Sequence, residues 1–168
     1  MIPVAPNVQE QKMKSRILAS ILVVACALSP ARGATTPFTL TLEAVENPIK
    51  ADSDVKVDIT LRNSSNHAID VGLGLAEMDC ALGVRDSQNR IPPETEFARK
   101  SKGHAYFSNE TVFTLQPGET LPKEMLVISK FYDVSRPGKY TIQVSRAVPK
   151  ELGGGTVKSN AITITITD

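Results

Sequence analysis

His67 and His104 are the only imidazoles in this 168-residue chain, and they stand 37 positions apart. A zinc site would have to join them to a carboxylate or to Cys80, and no His-Glu-x-x-His or comparable ligand spacing supports one. No Gly-x-Ser-x-Gly elbow exposes a nucleophilic serine, and either histidine would gain Ser and Asp partners only by coincidence of folding. Gly153-Gly154-Gly155 falls between strand-like segments rather than before a helix, so it reads as a mobile hairpin connection, not a phosphate cradle. Catalysis has no signature here, and no cofactor is expected. Calcium is the best ionic prospect. Asp52, Asp54, Glu77 and Asp79 are hard oxygen donors near strand ends, and loops at one end of a sandwich could gather them. Against that, Asp-Ser-Asp is ordinary turn composition and nothing follows EF-hand spacing.

A basic cluster, Arg99, Lys100 and Lys102 beside His104, lies within a stretch from Pro92 to Asn109 where regular patterning is lost. The plainest account is a solvated face on a long loop or irregular edge. The functional account is a partner-binding segment, in its sharpest form one offered to a protease that favours Arg or Lys. Long loops in compact domains are often functional or disordered. The chain carries no broader basic stripe of the kind that displaces counterions from nucleic acid. Residues 1–33 hold Lys12, Lys14, Arg16 and Arg32 against Glu10, and the remainder has 15 basic and 17 acidic residues, a net charge of −2. Aromatics make up 5% and Trp is absent, which argues against a large aromatic binding face.

The N-terminal region has the layout of an export signal. Lys12 to Arg16 is basic, Ile17 to Leu28 is an apolar run of twelve residues, and Ala31-Arg32-Gly33 offers small residues for cleavage before Ala34. Such a run is shorter than the roughly 20 residues a spanning helix needs. The twelve residues before Met13 carry no pattern of their own, so Met13 is as good a start as Met1. A rival reading takes Val23-Val24-Ala25-Cys26 as a lipobox, with Cys26 the lipid anchor of a membrane-attached lipoprotein. With Cys26 removed or lipidated, Cys80 has no partner within the chain, and the core must be held by burial without a disulfide.

Those residues need a frame, and the period of two supplies it. Val55, Val57, Ile59 and Leu61 alternate with Lys56, Asp58, Thr60 and Arg62, which puts the aliphatics on one side only of a strand. Phe38 to Ala44 and Ala161 to Thr167 alternate likewise, the latter with Ile162, Ile164 and Ile166 inward. Further strands are expected over Ile69 to Leu75, Ala81 to Arg85, Thr111 to Leu115 and Met125 to Ile128. Gly72 and Gly74 in the first of these point to a bulge or a close backbone approach. Asp86 to Asn89 is a hairpin tip with Arg90-Ile91 as its returning arm. Pro137-Gly138 turns the chain into a strand bearing Tyr140, Ile142 and Val144. A tyrosine so placed is expected to act as a tyrosine corner, ring in the core and hydroxyl on an upstream backbone group. The sum is an all-β, Ig-like antiparallel β-sandwich of about seven to nine strands over residues 34–168, preceded by a cleaved signal segment.

The alternating strand before Asn63-Ser-Ser-Asn66, then Leu115-Gln-Pro-Gly-Glu119, Arg136-Pro-Gly-Lys-Tyr-Thr-Ile142 and Ser159-Asn160, resembles bacterial exported Ig-like domains. The layout is similar to the intracellular proteinase inhibitor family of bacilli and to the β-domain of deuterolysin-like peptidases. The resemblance covers about residues 38–167 and rests on turn and strand signals. It implies the sandwich architecture and no particular site residue. This chain differs from the inhibitors in its export signal and from the peptidases in lacking a zinc-binding catalytic part. The expectation is a non-enzymatic, secreted or periplasmic binding or accessory module for a protein or cell-surface partner. The alternative is a protease inhibitor acting through an exposed loop at about residues 92–109.

Overall fold

A computed structural model describes residues 36–101 and 111–168. The expected signal segment over residues 1–33, Cys26, Lys102 and His104 lie outside the described residues. The strands are β1 (Phe38–Ala44), β2 (Ile49–Lys50), β3 (Lys56–Asn63), β4 (Ile69–Leu73), β5 (Cys80–Asp86), β6 (Thr111–Leu115), β7 (Glu124–Val127), β8 (Gly138–Ala147), β9 (Thr156–Lys158) and β10 (Ile162–Thr167). Two short helices, α1 (Ala76–Asp79) and α2 (Glu96–Ser101), interrupt them. One sheet runs β1-β3-β7, the other β2-β10-β8-β5 with β9 also on β8, and β4-β6 form a ribbon. All pairings are antiparallel except β2 with β10.

The two large sheets form a sandwich because each presents an aliphatic row inward. Leu40 and Leu42 from β1, Val57, Ile59 and Leu61 from β3, Val84 from β5, Ile142 and Val144 from β8 and Ile164 and Ile166 from β10 are all buried in one core. Burial of such side chains contributes roughly 1.5–3 kcal/mol each. Tyr140 lies in the same core, and its hydroxyl donates to the Arg136 carbonyl at 2.9 Å, the tyrosine-corner bond expected of it. Gly138, where the turn enters β8, has φ 151°, a conformation that favours glycine.

Three asparagines tie the layers together. Asn63, 1% exposed at the end of β3, donates its amide to the carbonyls of His67 at 2.8 Å and Leu115 at 2.9 Å. Its own carbonyl accepts from the backbone and hydroxyl of Ser65. Asn160 accepts from Leu42 N–H at 2.8 Å and donates to Leu42 C=O at 3.0 Å, so one side chain occupies both backbone groups on that flank of β1. Asn47 does the same on β10, donating to Thr163 C=O and accepting from Thr165 N–H.

Several local expectations are corrected. Residues 96–101 are helical, not irregular: the Thr95 hydroxyl accepts from Ala98 N–H at 3.1 Å and caps α2. Arg90-Ile91 is not a returning strand, because the Asp86 carboxylate takes the backbone and guanidinium of Arg90 and closes a turn. Gly72 sits in continuous register opposite Val112 with no bulge, and its carbonyl accepts from the Arg146 guanidinium. The triple glycine is an ordered turn after a 3-10 segment (Lys150–Leu152), with Gly154 N–H on Pro149 C=O and Val148 N–H on Gly155 C=O, each 3.0 Å. Ile162 faces the core with Ile164 and Ile166, as its alternation predicts, but is only half-buried at the start of β10.

Candidate functional site

Where β5 ends one sheet and β7 ends the other, the core opens into a cleft of about 250 Å³. Leu82 and Cys80 of β5 line it from one side and the buried Leu126 of β7 from the other. Strand alternation places Cys80, Leu82 and Val84 on one face, and only Val84 lies deep enough to be sealed by the opposite sheet. Phe131 and Tyr132 reach the cleft from the end of a 3-10 turn (Ile128–Lys130), held by bonds of 2.9 and 3.1 Å to the Ile128 carbonyl.

The remaining wall depends on a backbone zipper between residues 93–95 and 131–133. Thr95 N–H donates to Phe131 C=O at 3.0 Å and Asp133 N–H to Pro93 C=O at 2.8 Å. The Thr95 hydroxyl also donates to the Lys130 carbonyl. These bonds fix the start of α2, whose Ala98 is buried and, with Ser101, faces the cleft. Phe97 meets Phe131 edge-on, centroids 5.6 Å apart, and the Lys130 ammonium lies 5.9 Å from the Phe97 centroid.

The cleft has an acidic lining: Glu77 of α1 and Glu94 face it, and Glu124 and Asp79 are near enough to act on Cys80. The Arg146 guanidinium, its side chain 12% exposed, contacts Asp79 Oδ2 at 3.3 Å and donates to the Gly72 carbonyl. Asp79 Oδ2 also accepts from Gly74 N–H at 2.8 Å. Burial pushes the Cys80 thiol up to about 11; Arg146 pulls the other way and Glu124 and Asp79 add to the rise. Burial likewise raises the Glu124 carboxyl, opposed by Arg146 and helped by Asp79 and Glu77. Cys80 is therefore a protonated, free thiol at neutral pH, a wall atom rather than a nucleophile.

The four calcium candidates are split into two pairs. Asp52, with φ 64°, and Asp54 share a turn by a separate groove of about 310 Å³ that also carries Lys50, Lys130 and Asp133. Asp54 pairs with Lys56 at 3.6 Å. Glu77 and Asp79 are on α1 at the cleft, and among the described residues no group of three or more His, Cys, Asp or Glu could hold a metal ion. Of the basic cluster, Arg99 donates to the Glu94 carbonyl just ahead of α2 at 2.7 Å, and Lys100 pairs with Glu96 within α2 at 2.6 Å. His67 is exposed beside Asn66.

Sequence reasoning singled out Glu77 and Cys80 but missed Leu82, Ala98, Leu126, Phe131 and Tyr132. The Phe131-Tyr132 pair shortly beyond the strand expected over Met125 to Ile128 was the one signal pointing there. Among the described residues no helix is long and apolar enough to cross a membrane. No protein-family model matches this chain, and no curated protein is similar to it.

Proposed function

We propose that this chain is a non-enzymatic, exported module of the Ig-like kind, secreted or periplasmic, that binds a protein partner through the cleft between β5 and β7. The observation that carries the reading is the cleft itself. It has aliphatic and aromatic walls from β5, β7, α2 and the turn before Asp133, with carboxylates at its lining. Apolar concavities with a few placed polar groups are the usual form of a binding site. Export rests on the basic, apolar and small-residue succession over residues 12–33.

The test is capture of partners from the exported fraction by the mature chain and by a Leu82→Arg variant that fills the cleft. Leu82 is half-buried, so the longer side chain can reach solvent, and circular dichroism checks the fold. A partner held by the wild type and released by the variant supports the reading; equal retention sinks it. Mass spectrometry of the exported N-terminus is expected to find Ala34. A lipidated Cys26 there would make the module membrane-anchored instead.

A further inference from the structure

Resting on that reading, we propose that the cleft receives one lysine-type side chain of the partner protein, its aliphatic stem against the walls and its ammonium at the carboxylates. Leu82, Leu126 and Ala98 offer methyl and methylene surface of the kind a lysine stem buries while its head stays near water. Phe131 and Tyr132 add aromatic rings that attract a cation over their faces. At about 250 Å³ the cleft is smaller than the roughly 300–1,000 Å³ typical of pockets that enclose a whole small-molecule ligand. It suits a single side chain delivered by a larger surface.

Charge fixes the sign of the occupant. Glu77 lines the cleft, and Asp79 and Glu77 both act electrostatically on Glu124. Arg146 is the one described cation acting on Cys80 and Glu124, and it is already engaged by Asp79 and the Gly72 carbonyl. Arg99 turns its guanidinium to the Glu94 carbonyl and is not part of the lining. An acidic side chain would meet like charge, and a neutral aliphatic one would forgo the attraction.

The experiment is an amide-resolved NMR titration of the mature chain with three blocked amino acids: N-acetyl-lysine, N-acetyl-norleucine and N-acetyl-glutamate methylamides. Norleucine keeps the stem and lacks the ammonium. The lysine probe is expected to move the amides of Cys80, Leu82 and Leu126 and to bind about fivefold tighter than norleucine, the scale of a partly exposed ion pair. The glutamate probe is expected to leave them still. The preference is expected to shrink in Glu77→Gln and in about 0.5 M salt, where screening is short-ranged. Equal binding of lysine and norleucine, a preference indifferent to Glu77→Gln, or no movement with any probe overturns the inference. Partner release by Leu82→Arg without a lysine preference leaves the binding module intact and removes the cation. A lysine preference with a partner that ignores Leu82→Arg does the reverse.

Discussion

Cys80 is a thiol whose acidity the fold suppresses, and that has two measurable results. With the thiol held at about 11 against an ordinary 9.0, the native chain carries roughly a hundredfold less thiolate near neutral pH. Iodoacetamide is expected to label native Cys80 tens of times more slowly than the urea-unfolded chain. The folded state keeps this proton more tightly than the unfolded one. The associated stability is therefore whole below about pH 9 and is lost as pH rises towards 11. Cys80→Ala should flatten that alkaline loss in urea titrations. Glu124 works in the same direction at lower pH. Its carboxyl is raised above the ordinary 4.5 chiefly by burial, so its charge is a cost at pH 7. Glu124→Gln is expected to raise the urea midpoint slightly at pH 7 and to give no gain at about pH 4, where the unfolded group is also largely protonated. A destabilised variant at pH 7 would mean that attraction to Arg146 outweighs burial.

At the scale of elements, α2 stands or falls with its first hydroxyl. Thr95 caps the helix through Ala98 and fastens it to the Lys130 carbonyl. Thr95→Ala is expected to cost about 1 kcal/mol and to speed hydrogen exchange at Ala98 more than in β8. Uniform acceleration across both would mean that α2 does not open separately. This helix was hidden in the sequence because six residues with one buried alanine write no 3.6-residue period. The long strands were legible for the opposite reason. β1 runs over the residues its alternation marked, and β3 lies within a residue of its pattern, since water on one side and core on the other impose the period of two. Very short β2 and β9 are set by their neighbours in the sheet and have too few residues to show a pattern. The cleft was legible only in part. Glu77 and Cys80 stand out by chemistry, but which aliphatics meet them depends on β5 and β7 ending different sheets, a pairing no local stretch encodes.

For the whole molecule, the two sheets leave the sandwich with flanks as well as faces. A bare strand flank is a template on which a second chain can add itself, and native proteins blunt it. Asn160 clasps Leu42 and Asn47 clasps Thr163 and Thr165, so two side-chain amides stand where a foreign strand would dock. Replacing Asn160 by Ala is expected to raise the sedimentation-average mass over wild type as concentration increases, before any large drop in melting temperature. An unchanged mass would mean that β1 is guarded by other means. If the clasps are the guard, the amides of Asn47 and Asn160 are what keep those two flanks from pairing with a second copy of the chain.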